Sequence, residues 1–148
     1  MGRNRVHELN REHVAAPVAD ILANLRLELW RRMCEEISTW DPAPLYACVF
    51  GSSAREDGDV DSDVDLLLVH PALAIRDESE RWSDQVDTLR LHVRAWSGSL
   101  LQAVERSAAE WSEQRKRGRL AEEIHRDAVE MMANVGVAAM AAGTTRGR

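Results

Sequence analysis

The stretch that decides the fold is Phe50-Gly51-Ser52-Ser53-Ala54-Arg55, followed after a polar interval by Asp63-Val64-Asp65-Leu66-Leu67. Residues 45–50 form an almost wholly apolar run, which predicts a central β-strand covered on both faces. Gly51 and Ser52 follow at once and predict a tight turn into a short helix. Residues 64–69 predict a second strand, so a glycine turn and two aspartates mark neighbouring strand ends.

The glycine turn predicts a site for a phosphate group. A strand that runs through Gly51 and Ser52 into a helix presents backbone N–H groups to an anion, and glycine lets a phosphate approach the backbone closely. The Ser52 hydroxyl can donate to the same phosphate. Ser53 and Arg55 are further candidates for phosphate binding, although Arg55 could instead pair with an acidic neighbour such as Glu56.

The aspartate pair predicts a metal site. Asp63 and Asp65 are two positions apart on a strand, so both carboxylates project from the same face. Two negative charges held so close repel each other and favour a cation between them. Carboxylate oxygens prefer hard cations, which indicates Mg²⁺ or Mn²⁺.

Helices are predicted before and after these strands in the sequence. Residues 12–40 predict one long amphipathic helix, whose apolar positions recur at helical spacing: Val14, Val18, Ile21, Leu22, Leu25, Leu29, Met33 and Ile37. A second helix is predicted over residues 77–96, a third strand over 100–105, and two more helices from 108 onward, the last over 119–133. This order predicts an α/β (α+β) fold, a small mixed sheet with helices packed on it.

Size and charge narrow the range of functions. With 148 residues, 45% of them hydrophobic, the chain fits one domain with one core. We expect an N-terminal extension over residues 1–11, the domain over 12–133 and a flexible tail over 134–148. A formal net charge of −6 argues against a dedicated DNA-binding protein.

Cysteine usage and hydropathy predict the compartment. Cys34 and Cys48 have no neighbouring cysteine or histidine at metal-binding spacing, and they are interpreted as two buried thiols. The basic start of the chain is not followed by an apolar stretch, and no run approaches the ~20 residues that span a bilayer. We therefore expect a cytoplasmic protein with no membrane partner.

The motif over residues 50–67 resembles the signature of the DNA polymerase beta nucleotidyltransferase superfamily, which is Gly, then Gly or Ser, about ten residues, and Asp-hydrophobic-Asp. The branch that it resembles is the minimal nucleotidyltransferases. Three weaker segments resemble a subgroup in which this domain follows a DNA-binding winged helix: Asn10-Arg11-Glu12-His13, Ala95-Trp96-Ser97-Gly98 and residues 120–127. Glu56 departs from the glycine that many members have there.

The resemblance implies a nucleotide, metals and an acceptor. It implies that Gly51 and Ser52 hold the NTP phosphates, with ATP as the expected nucleotide, and that Asp63 and Asp65 bind two divalent cations. The acceptor is a protein or RNA hydroxyl, and many members are antitoxins that act on a tyrosine of a partner toxin. A homodimer is also considered.

A third acidic residue normally acts as general base in this superfamily. The predicted third strand offers Gln102 and Glu105, which alternation places on opposite faces, so at most one of them can face the metals. Glu105 is the candidate base. If Gln102 or Val104 faces the metals instead, the alternative function is an inactive module that binds an NTP or a partner.

Overall fold

The computed structural model describes residues 10–53, 63–127, 129 and 130. The helices and strands, in chain order, are α1 (Ala16–Ser38), β1 (Tyr46–Phe50), β2 (Val64–His70), α2 (Arg76–Ser97), β3 (Leu101–Ser107), α3 (Ala108–Arg117), α4 (Arg119–Asp127) and β4 (Val129–Glu130), with a 3₁₀ turn over Gly51–Ser53. The predicted extension and tail lie mostly or wholly outside the described residues.

The four strands form one mixed sheet in the order β3-β2-β1-β4. β1 pairs antiparallel with β2, and the residue before the glycine turn, Phe50, lies opposite Asp65. β3 pairs parallel with β2, because α2 carries the chain back to the end of the sheet at which β2 begins. The predicted α/β (α+β) class, with a small mixed sheet and a long N-terminal helix, is confirmed.

Alternating side chains of the central strands enter two separate clusters. Val64, Leu66 and Leu68 of β2 pack against α1 and α2, so we call this side the α1–α2 face. Leu67 and Val69 pack against Ile124 of α4 with Trp111 of α3 at the margin, so we call the other side the α3–α4 face. The two clusters share no residue, so the face on which a side chain of the central strands lies can be read from the cluster that it joins.

Apart from Ala16 at its start, the buried residues of the first helix lie in its C-terminal half. Trp30, Met33 and Ile37 are buried, and Pro17 lies in its first turn, where the missing N–H has no partner to lose. Only part of the predicted apolar stripe is buried. The exposed members are Val14, Val18, Ile21, Leu22 and Leu25, whose fractional exposures run from 43% to 92%.

Geometry explains the exposure of that stripe. α1 and α2 run antiparallel, since Glu36 contacts His92 while Arg32 lies over the Trp96 ring. α2 ends at Ser97, close to Arg32 of α1, so the N-terminal part of α1 extends past the end of its neighbour. Periodicity alone does not show where a neighbouring helix stops.

The last predicted helix is shorter than expected. Residues 119–133 were predicted as one helix, but α4 ends at Asp127 and the chain then pairs with β1 as β4. The third strand begins one residue later and ends two residues later than predicted, and it directly precedes α3, whose first residue follows the Ser107 cap. None of the helices described is long and apolar enough to cross a bilayer.

Candidate active site

Two aspartates lie at the start of β2, on the α3–α4 face. Asp65 alternates with Leu67 and Val69, which pack on that face, and Asp63 is two positions earlier. Asp63 is exposed and Asp65 is half-buried. Both carboxylates are therefore accessible to a ligand while the strand that carries them is fixed in the sheet.

The glycine turn at the end of β1 lies directly against Asp65. Gly51 has φ +73°, a conformation that other residues rarely adopt. A Cβ added at Gly51 would lie 2.8 Å from Oδ2 of Asp65, which is closer than real Cβ contacts come. Glycine is thus required here by backbone conformation and by the close approach of a carboxylate.

The other predicted phosphate ligands are only partly described. Ser52 is half-buried in the 3₁₀ turn and Ser53 ends it. The predicted helix after the turn is a single 3₁₀ turn within the described residues. Arg55 lies in residues 54–62, outside the described residues, as do Glu56 and Asp61.

Gln102 is the residue of β3 that faces the aspartates. The parallel register places it beside Asp65, and its neighbour Val104 packs on the α3–α4 face. Its side-chain Nε2 lies 3.5 Å from Oδ2 of Asp63, which is long for a hydrogen bond but shows that the two side chains meet. The described part of the site therefore consists of a glycine turn, two carboxylates and an amide.

The sequence model of the nucleotidyltransferase domain family matches residues 28–127, more than half of the chain. This chain belongs to that family. The matched range runs from the second half of α1 to the end of α4, so it includes the whole described site. Family membership supports a general nucleotidyl-transfer function for the domain.

A crystal structure from Sulfolobus solfataricus, assigned provisionally as a nucleotidyltransferase, is similar to this chain with 18% sequence identity and a TM-score of 0.41. The similarity covers 82% of this chain and 90% of that one. A TM-score this low supports no conclusion about function. A search of curated proteins found no match.

In this nucleotidyltransferase domain, Glu105 and the two aspartates lie on opposite faces of the sheet. Glu105 lies opposite Leu68 in the parallel register, on the α1–α2 face, and its Oε1 accepts a hydrogen bond of 2.6 Å from Nε1 of Trp82. The expectation that Glu105 completes the metal site is therefore corrected. The register of β3 against β2 decides which residue of β3 faces the aspartates. Alternation within β3 alone shows only that Gln102 and Glu105 cannot both do so.

The described donor set fits a cation that also binds a nucleotide. Among the described residues there is no group of three or more His, Cys, Asp or Glu side chains able to hold a metal ion. Mg²⁺ is commonly bound through one or two carboxylates together with substrate phosphates. Asp63 and Asp65 match that arrangement, and the adjacent Gly51 turn is where the phosphates would approach.

Proposed function

We propose that this domain transfers a nucleoside monophosphate from an NTP to a hydroxyl of a protein or RNA acceptor, with pyrophosphate as the second product. The observation that carries the proposal is the contact between the Gly51 turn and the Asp65 carboxylate. A phosphate-binding turn and a carboxylate pair that touch form one site. Family membership supplies the reaction class.

The proposed roles follow from the side chains. Asp63 and Asp65 would hold Mg²⁺ or Mn²⁺, which neutralises charge that develops on the phosphates during transfer. Backbone N–H groups of the Gly51 turn and the Ser52 hydroxyl would hold the β and γ phosphates. Ser53 and Arg55 remain candidates for the same phosphates, and ATP is the proposed nucleotide.

The acceptor is proposed from the resemblance to minimal nucleotidyltransferases. A tyrosine of a partner toxin is one acceptor and an RNA end is the other, and the first would make this chain an antitoxin. The exposed position of Asp63 supports an acceptor as large as a protein or an RNA, because no described element covers that carboxylate. A net charge of −6 favours the protein acceptor over the RNA.

Transfer is tested with each of the four NTPs labelled at the α-phosphate, with Mg²⁺ or Mn²⁺. The acceptors are total RNA and a soluble protein extract. We expect label to appear on one acceptor class, and Asp65→Asn to reduce labelling by at least about 100-fold because its metal-binding charge is lost. Activity that persists in Asp65→Asn would contradict the assigned site.

A second candidate is a module that binds an NTP and does not transfer it. The observation that favours it is Gln102, an amide that stands where a third carboxylate would have to face the metals. The same experiment separates the two functions. NTP binding without labelling, with every nucleotide and acceptor, would establish the second one.

A further inference from the structure

The position of Gln102 has a consequence for the rate of the reaction. Gln102 lies beside Asp65 in the register, is exposed on the α3–α4 face, and reaches Asp63 with its amide. The only carboxylate of β3, Glu105, is on the other face and accepts a hydrogen bond from Trp82. β3 therefore presents an amide, and no carboxylate, to the aspartate pair.

An amide cannot do what a carboxylate does at this position. In the transfer step, a lone pair of the acceptor oxygen forms a bond to the α-phosphorus. The bond from that phosphorus to the bridging oxygen breaks, and pyrophosphate leaves with the bonding pair. The acceptor proton must pass to a base, and the neutral side chain of glutamine does not accept a proton near neutral pH.

We propose that Gln102 sets the rate of this domain by withholding a general base, so that a carboxylate at this one position converts a slow transferase into a fast one. With an amide at this position β3 supplies no base, and the acceptor proton would leave to hydroxide or solvent. This inference rests on the proposed function, since it assumes that the α-phosphorus is attacked at this site. It names Gln102 as the residue that determines the rate.

The prediction is a change in the pH profile as well as in the rate. Without a base, the rate follows the concentration of ionised acceptor and rises about tenfold per pH unit. With a carboxylate at position 102, the rate levels off above the pKa of that carboxylate. A role of Gln102 in folding or in nucleotide affinity would not change the shape of the profile.

The test needs no identified acceptor, because water can attack the α-phosphorus. Pyrophosphate release from ATP is measured from pH 6 to pH 9 at saturating Mg²⁺, for the full chain and for Gln102→Asp and Gln102→Glu. We expect one or both variants to be faster at pH 7 by about 10² to 10⁴-fold, the usual contribution of a positioned base. We also expect their profiles to level off.

Matched variants separate charge from shape. Gln102→Asn has the size of Gln102→Asp without its charge, and it should keep the rising profile. Glu105→Gln, on the other face, should change neither rate nor profile. Because Gln102 is exposed, these substitutions leave the core intact, and thermal melts of each variant check this.

Two results would overturn the inference. One is a flat profile for the natural protein, which would show that a base already acts. The other is that both carboxylate variants release pyrophosphate no faster than Gln102→Asn while they bind ATP. Failure of the proposed function looks different, because Asp65→Asn would then release pyrophosphate as fast as the natural protein.

Discussion

Glu105 and Gln102 are three positions apart on β3, an odd number, so their side chains leave the sheet on opposite faces. One meets Trp82 and the other meets Asp63. The same strand thus contributes an acidic group to helix packing and an amide to the proposed nucleotide site. Two chemically similar residues have separate functions because of the direction in which each one points.

Glu105→Gln is the direct test of this separation. We expect NTP binding and transfer to stay within about twofold of the natural protein, because only the α1–α2 face is altered and the amide oxygen can still accept from Trp82. ATP titration and labelling measure both. A loss of activity as large as that of Asp65→Asn would show that Glu105 does take part in the site.

Gly51→Ala combines strain with a clash. An alanine held at positive φ costs roughly 1–2 kcal/mol, and its Cβ would also meet the Asp65 carboxylate. We expect lower stability in urea unfolding together with loss of ATP binding.

Gly98→Ala is the matched control for Gly51→Ala. Gly98 has a similar φ of +78°, and a Cβ there would meet nothing within 4 Å. It should lose the stability that strain alone explains, less than Gly51→Ala loses, and keep ATP binding. Equal loss of binding in both variants would show that strain, and not contact with Asp65, explains the effect.

At the scale of single elements, α1 divides into a half that packs in the core and a half that does not. Leu25 is 61% exposed although it shares the helical stripe of Ile37, which is fully buried. The hydrophobic contribution of a residue follows the area it buries, not its place in the pattern. The two halves should therefore differ in their contribution to stability.

Leu25→Ala and Ile37→Ala compare the two halves. We expect Ile37→Ala to lower the free energy of unfolding by about 2–5 kcal/mol and Leu25→Ala by less than about 0.5 kcal/mol. Urea unfolding at low protein concentration measures both. A similar cost for the two would mean that the N-terminal half of α1 is covered in solution.

The start of α3 depends on a reciprocal cap. The Ser107 hydroxyl accepts from the backbone N–H of Glu110, and the Glu110 carboxylate accepts from the backbone N–H of Ser107. The bond from the Ser107 backbone, followed by that from its hydroxyl, lowers the pKa of Glu110 below its usual value. The charged form of Glu110 is therefore the one that the fold favours.

Ser107→Ala and Glu110→Ala test the cap and its pH dependence. We expect Ser107→Ala to lower the free energy of unfolding by about 1 kcal/mol at pH 7. Since the pKa of Glu110 is lower in the folded state, its contribution is present above the unfolded value and is lost as the pH falls through the folded value. The difference between the natural protein and Glu110→Ala should shrink on acidification, and a difference that grows would contradict the cap.

At the scale of the whole molecule, an acidic chain is proposed to bind a polyanion. With a net charge of −6 and an aspartate pair in the site, NTP phosphates meet a repulsive field unless a cation accompanies them. Binding of the nucleotide and of the cation should therefore depend on each other. This mutual dependence should appear in the thermal stability of the domain, because a ligand that binds the folded state stabilises it.

A thermal shift measures this coupling. We expect ATP with Mg²⁺ to raise the melting temperature, with a stabilisation of about 2.7 kcal/mol when ATP is at 100 times its Kd. ATP with EDTA should give little or no shift, and Asp63→Asn and Asp65→Asn should lose most of it. An equal shift with EDTA would show that nucleotide binding needs no metal.

The sequence by itself determined the class of fold and the centre of the site. Apolar runs followed by Gly51-Ser52 and by Asp63-Val64-Asp65 predicted two strands and the turn between them, because strand periodicity and glycine geometry are local properties. The face shared by Asp63 and Asp65 follows from their spacing of two. Spacing along one strand needs no knowledge of the rest of the chain.

Only the tertiary structure decided which residue of β3 joins that centre and which part of α1 is buried. The register of β3 against β2 places Gln102 beside Asp65 and turns Glu105 toward Trp82. α2 ends before it reaches the first half of α1, whose apolar stripe is exposed among the described residues. Both outcomes depend on how distant segments meet in space, and no periodicity within a single segment encodes that meeting.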